Sequence, residues 1–292
     1  MKKFMAMLLA ICMCFGLCAC TSDSDDDDGG KNSSKQSKKK ITFTELVVVD
    51  NEYCKITING IDPDDMGEFV LKTELENKTE NMDLTFMAGE CYVNDVKAAA
   101  YGVEYVSAGK KANSSARISK EALEDLGIEL FSDIELNFLA YDSDDWFADY
   151  VADETVHIYP YGEEEAVSFV YEPRKSDQVL VDNEYVTVIV TGYDEEDYWG
   201  YSVTLFLINK TDSTVMFSAD DVSINDYMCD PFYADSISAG KCGVSTMSWS
   251  ETDLEESGIS KVETIEFMLS AYNYDTWDYI GNYVDEQVTL NP

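Results

Sequence analysis

The feature that most constrains this chain is that it says the same things twice. VDNEY occupies 49–53 and returns at 181–185. Asn77-Lys78-Thr79 recurs as Asn209-Lys210-Thr211, Asn94-Asp95 as Asn225-Asp226, and Ala108-Gly109-Lys110 as Ala239-Gly240-Lys241. IELNFLAYDSDDW, starting at Ile134, is echoed by IEFMLSAYNYDTW, starting at Ile265. The markers keep their order and nearly their spacing, so one unit has been duplicated in tandem. Each copy has the length of an independent domain, and the period is far too long for a solenoid. Whatever fold is assigned must close its core within one copy.

The apolar residues of each copy recur every second position, as in a half-buried strand. Cys54, Ile56 and Ile58 alternate with polar residues, as do Leu71, Thr73 and Leu75; Ile134, Leu136, Phe138 and Ala140 form a long late strand. Val186, Val188 and Val190, then Val203, Leu205 and Leu207, then Ile265, Phe267, Leu269 and Ala271 repeat the pattern. The Asn-Asp and Ala-Gly-Lys segments between runs are turn chemistry. Short strands at regular spacing predict an antiparallel β-sandwich in each copy. One segment per copy reads as a short helix, with Ser119 or Ser250 as the cap and Gly127 or Gly258 as the stop. The fold class is therefore all-β: two tandem immunoglobulin-like antiparallel β-sandwich domains, each with one short helix, over 41–162 and 163–292. Between them, Val167 to Tyr171 has the composition of a strand, and a short connector predicts two domains in contact.

The amino terminus is of another kind. Met1-Lys2-Lys3 is followed by an almost wholly apolar run to Ala19, the pattern of a secretory signal over 1–19. Leu17-Cys18-Ala19-Cys20 resembles the lipobox of bacterial lipoproteins, which implies cleavage before Cys20 and a diacylglyceryl group on its thiol. Residues 20–40 carry the lipidated cysteine and a tether; without apolar residues after Cys20, the tether cannot offset chain entropy and is expected to be disordered.

The NKT segments after an early strand, and the Ala-Gly-Lys turns before a later one, resemble the immunoglobulin-like modules repeated in uncharacterised surface lipoproteins of Gram-positive bacteria. The resemblance implies an extracytoplasmic protein held by lipid to the outer face of the cell membrane, and it implies no activity for any residue.

The chain has 58 Asp and Glu against 20 Lys and Arg, a net charge of −38. Such a surface repels nucleic-acid phosphates and suits cationic partners. Of the cysteines beyond the lipobox, Cys54 and Cys91 align with Val186 and Val222 on the inward rows, which makes them core residues. Cys229 and Cys242 align with Ala98 and Lys111, outside the core pattern. An even number of exported cysteines invites disulfides, but the repeat gives no pairing. His157, the sole histidine, aligns with Thr289 and points outward on its strand, so it is an exposed strand residue rather than a catalytic base. Oxygen-rich loops (Asp62, Asp64 and Asp65; Asp194, Glu195, Glu196 and Asp197; Asp142, Asp144 and Asp145; Asp275 and Asp278) suit calcium in kind. None has EF-hand spacing and polar turns account for them, so no metal or cofactor site is assigned.

Aromatic residues carry the remaining signal. Trp146 and Trp277 are counterparts near the ends of the long late strands and read as anchors of the sandwich edge. Tyr198, Trp199 and Tyr201 crowd one loop of the second copy, and exposed aromatics beside acids can grip a protein, peptide or glycan. The expectation is a noncatalytic binding or adhesion module with that loop as its binding edge. The alternative is an extracellular glycosidase-like hydrolase using paired carboxylates. A concave pocket holding two close carboxyls separates the two.

Overall fold

In the computed structural model, described residues are 39–145, 147–197, 200–276 and 282–292. The expected signal segment, Cys20, the expected tether as far as residue 38, Trp146, Tyr198, Trp199, Trp277 and Asp278 lie outside them. Residues 39–292 form one compact unit, mostly strand.

The first copy runs β1 (Leu46–Asp50), β2 (Cys54–Asp65), β3 (Glu68–Asn77), β4 (Leu84–Val93), β5 (Val96–Ala98), β6 (Ala100–Tyr101), β7 (Val103–Val106), β8 (Lys111–Ser119), α1 (Glu121–Asp125), β9 (Ile134–Asp142) and β10 (Ala152–Ile158). The second runs β11 (Gln178–Asp182), β12 (Val186–Asp197), β13 (Gly200–Asn209), β14 (Val215–Ile224), β15 (Tyr227–Met228), β16 (Ala234–Ile237), β17 (Cys242–Ser250), α2 (Glu251–Glu256), β18 (Ile265–Asn273) and β19 (Val284–Leu290). Each copy is a sandwich. Its first sheet has the order β1-β2-β3-β8, or β11-β12-β13-β17; its second has β10-β9-β4-β5, or β19-β18-β14-β15. The pairing irregularities recur too: the shift between Ile58 and Gly60 on β2 returns between Val190 and Gly192 on β12.

The repeated motifs are the joints of this frame. Asn51 accepts hydrogen bonds from the Tyr53 and Cys54 amides at 2.9 and 2.8 Å, and donates to the Val151 carbonyl. Asn183 does the same with Tyr185, Val186 and Tyr283. Asn77, almost fully buried, donates to the Met82 and Val106 carbonyls and accepts from Thr79. Asn209 repeats this with Ser213, Ile237 and Thr211. Lys78 ties the two motifs together, reaching the Asp50 carboxylate and the Asn51 carbonyl, as Lys210 reaches Asp182 and Asn183. Buried backbone polar groups demand partners, which is why these words survive in both copies. The turns at Asn94-Asp95 and Asn225-Asp226 have positive φ at both residues, the geometry of a type I′ hairpin.

Three local expectations need correction. Val167 to Tyr171 is not a strand; it lies along the junction, with the Phe169 amide donating to the Asn94 carbonyl. Ser250 caps α2 by accepting from the Asp253 amide, but the first residue before α1 is Lys120, without a side-chain cap. Cys229 and Cys242 are buried like Cys54 and Cys91, because the surfaces around them are covered by chain that the strand pattern does not reveal; all four are free thiols. His157 is half-exposed as expected, yet it is engaged: its Nδ1 lies 2.8 Å from Asp133 and its Nε2 3.6 Å from Glu135.

The copies meet edge to edge. β17 runs parallel to β5 where Cys242 faces Val96, joining two sheets into one of nine strands among the described residues. Ile189, Phe206 and Cys242 of the second copy pack into the core of the first, and Tyr171 stacks on Phe206 with centroids 4.2 Å apart. Lys241 is ion-paired across the junction with Asp95 at 2.7 Å and Glu135 at 2.6 Å.

Candidate functional site

The duplication places a cleft at the same end of each sandwich, between the turn joining the first two long strands and the short helix. In the first copy it is lined by Pro63, Phe69, Lys120, Glu124, Ile128, Glu129, Phe131 and Tyr161, and holds about 350 Å³. In the second it is lined by residues including Glu195, Tyr201, Glu251, Glu255, Ile259, Ser260 and Val262, and holds about 720 Å³. Those seven align one to one with the first seven of the first copy. The comparison therefore isolates what differs.

The first cleft is narrowed by its own side chains. Phe131 stacks on Phe69 with centroids 5.0 Å apart. The Lys120 ammonium, on a largely buried side chain, is 3.1 Å from Asp64. Arg117 reaches both Asp65 at 2.9 Å and Glu68 at 3.0 Å, and those two carboxylates hold its guanidinium more firmly protonated than usual. In the second copy the cleft residues and the ion pairs beside them are altered. Phe131 becomes Val262, Lys120 becomes Glu251, Pro63 becomes Glu195 and Arg117 becomes Ser248. The Glu68 position becomes Gly200, which has φ +144° and where a Cβ would come 2.4 Å from the Trp249 carbonyl oxygen. The result is an open concavity with Leu254, Ile259 and Val262 as apolar wall and Glu195, Asp197, Glu251 and Glu255 as acidic wall. Lys261 also lines it, with its ammonium 3.7 Å from Glu263.

Tyr201 sits where the first copy has Phe69. It is not the exposed aromatic suggested by the loop's composition: it is 4% exposed and belongs to the second core, with its ring 6.1 Å from Trp249. The reason is strand phase, since its inward row on β13 continues through Val203 and Leu205. Its hydroxyl is buried without a hydrogen-bond partner among the described residues. Burial, and the nearby Tyr193 and Glu195, raise its pKa well above the ordinary phenol. Of the expected binding edge, then, one residue is a wall of the cleft, while Tyr198 and Trp199 lie outside the described residues.

The other candidates fall elsewhere. Among the described residues no three His, Cys, Asp or Glu side chains converge as a metal site. Asp62, Asp142 and Asp145 accept backbone amides within their own turns. His157 stacks on Tyr159 and belongs to the acidic network at the junction. That network and the cleft were both missed in the sequence; the substitutions of Lys120 by Glu251 and Phe131 by Val262 were the available signal for the cleft.

No protein-family model matches the chain, and no curated protein matches it. Among solved structures it is similar to the YadV chaperone at 15% identity, over 76% of this chain and 92% of that one, with a TM-score of 0.23. It is also similar to the exo-chitosanase CsxA of Amycolatopsis orientalis at 11% identity, 77% and 26% coverage and a TM-score of 0.22. For red sea bream transglutaminase the values are 11%, 83%, 31% and 0.24. The chain spans less than a third of the latter two.

Proposed function

We propose that this chain is a bacterial lipoprotein, held through Cys20 to the outer face of the cell membrane, and that its paired sandwiches form a noncatalytic binding module for a surface protein, peptide or glycan. Leu17-Cys18-Ala19-Cys20 and the polar tether support the anchor. The cleft of the second copy supports the binding role, and one observation carries it: the aligned cleft of the first copy, lined by Lys120 and Phe131, holds about 350 Å³, whereas the second holds about 720 Å³. A duplicated domain that loses its own filler while keeping its core has exchanged internal contacts for a concavity, and concave, partly apolar sites are where ligands bind.

The anchor is tested by metabolic labelling with an alkyne-tagged fatty acid, which should mark the parent and not Cys20→Ser. For binding, the chain from Lys39 onward, Trp199→Ala and Glu251→Lys are compared for capture of partners from envelope extract. Capture by the parent that is lost in both variants supports the reading; equal capture by all three refutes it.

The second reading, a carboxylate hydrolase, is favoured by the acidic wall of the same cleft. In the first copy, however, Glu195 and Glu251 are replaced by Pro63 and Lys120, and Asp65, the counterpart of Asp197, neutralises Arg117. Turnover of chromogenic glycosides by the parent, abolished in Glu251→Gln, would replace the binding module with the enzyme.

A further inference from the structure

We propose that the second cleft is a receptor for a primary alkylammonium group, the side chain of a lysine on a partner polypeptide, and that the first copy carries the same ligand built in as Lys120. The inference rests on the binding-module reading and supplies its ligand chemistry.

The first copy acts as an internal complex. There a lysine stem lines a concavity with Phe69 and Ile128 while its ammonium meets Asp64 at 3.1 Å. This is how a lysine is ordinarily accommodated, with its methylenes against apolar surface and its head on an acid. The second copy keeps the apolar contacts in Tyr201 and Ile259 and removes the lysine. At the lysine's own position stands Glu251, and Pro63 has become Glu195, so the vacated volume gains carboxylates as it loses its cation. Lys261 is the only cationic side chain among the described residues lining that volume.

The second, independent observation is the Tyr201 hydroxyl. A phenol that is 4% exposed and has no hydrogen-bond partner among the described residues carries a desolvation penalty that a bonded one does not. At the aligned position Phe69 has no such group to satisfy. An ammonium has three donors, enough to serve the acidic wall and still donate to a phenol oxygen. A neutral apolar ligand would leave both the acids and the phenol unserved. A guanidinium would fit the acids but has no counterpart in the first copy, whose Arg117 serves Asp65 and Glu68 and is not among the residues lining its cleft.

The test is a methyl-resolved NMR titration of the chain from Lys39 onward with three probes: Nα-acetyl-lysine N-methylamide, the isosteric norleucine derivative without charge, and cadaverine. The blocked lysine should shift the Ile259 and Val262 methyls saturably and leave Ile128 still. The norleucine probe should bind at least about tenfold more weakly, the ratio that about 1.4 kcal/mol represents. Glu251→Lys, which restores the first copy's plug, should lose at least about tenfold in affinity while unfolding cooperatively. Glu251→Gln, which conserves shape, should lose less, and this graded loss shows that charge rather than misfolding is responsible. Equal binding of lysine and norleucine probes, or equal affinity of parent and Glu251→Lys, overturns the proposal. Cadaverine binding more tightly than blocked lysine overturns the polypeptide source. If the lysine probe fails while Trp199→Ala still abolishes capture of an envelope partner, the ammonium inference falls alone; if capture is also unaffected, the binding-module reading falls with it.

Discussion

Lys241 of the second copy places its ammonium 2.6 Å from the Glu135 carboxylate of the first. The same ammonium reaches Asp95 at 2.7 Å, and Glu135 in turn faces His157, so one lysine holds together an acidic patch that would otherwise push the copies apart. Lys241→Met should cost about 2 kcal/mol, between the small value of an exposed pair and the larger one of a buried pair left half-broken. The loss should fall on the junction. Calorimetry should show one unfolding transition for the parent and two for the variant, and a variant that still melts as one unit with the parent's midpoint would show that the sheet contact between β5 and β17 suffices.

The pH dependence of that contact follows from its two titrating partners. Burial pushes the Asp95 carboxyl up, but hydrogen bonds from Lys241 and Ser168 outweigh it and hold the group below the ordinary carboxylate range. Its contribution is therefore present above about pH 4, the unfolded value, and is lost as pH falls through the lower folded value. Burial pulls the Lys241 ammonium down, yet Asp95 and Glu135 raise it further; its contribution is present below about pH 10.4 and lost only above that. The stability difference between parent and Lys241→Met should shrink below about pH 4. A difference that grows on acidification would mean that Lys241 is repelled, not held, at the junction.

How much of this was legible beforehand divides along a physical line. Period-two rows such as Ile134, Leu136, Phe138 and Ala140 announced their strands, because one face of each is buried. Turn pairs such as Asn94-Asp95 announced themselves, because few residues accept positive φ. The junction was not legible: Cys242, Phe206 and Ile189 sit on the outer face of their own sheet, and only the arrival of the other copy buries them. Nor was Tyr201, whose loop composition suggested exposure while its strand phase dictated burial. The cleft was half-legible, since its differences from copy to copy stand in the aligned sequence but their convergence on one concavity does not.

The asparagine joints should be worth more than their count of contacts suggests. Asn209 is 1% exposed, and its removal takes a partner from the Ile237 and Ser238 carbonyls and from the Thr211 amide. Each orphaned buried group carries a desolvation penalty, so Asn209→Ala should cost about 3 kcal/mol, and Asn77→Ala about the same because its bonds are the same. Urea unfolding at constant m-value measures both. A cost below about 1 kcal/mol in either copy would mean that water replaces the side chain and that the motif's recurrence has another cause.

The thiols should be silent. Burial raises the Cys91 thiol to about 12, Cys242 to about 12 with help from the Asp95 charge, and Cys54 to about 11; Cys229 is raised as well, again by burial. Only the thiolate reacts appreciably, and all four sulfurs are covered. The chain from Lys39 onward should give no reaction with Ellman's reagent at pH 8 when folded, and four equivalents in urea. Prompt native reaction would place a cysteine at the surface, and fewer equivalents on unfolding would reveal a disulfide.

Removing one atom tests the wall of the cleft. Tyr201→Phe deletes a hydroxyl that is buried without a partner among the described residues and keeps the ring against Trp249. Exchanging a buried unpaired polar group for the residue that the first copy uses at the same place, Phe69, relieves a desolvation penalty. The variant should be more stable than the parent by about 1 kcal/mol, read as a higher urea midpoint at unchanged m-value. The sign is what matters. A gain places the hydroxyl unbonded in the free protein, held ready at the cost of stability, as binding sites are when their polar groups await a ligand. A loss of similar size would mean that the phenol is bonded in solution, through water or the loop beside it, and that the second cleft has no unmet polar demand in its wall.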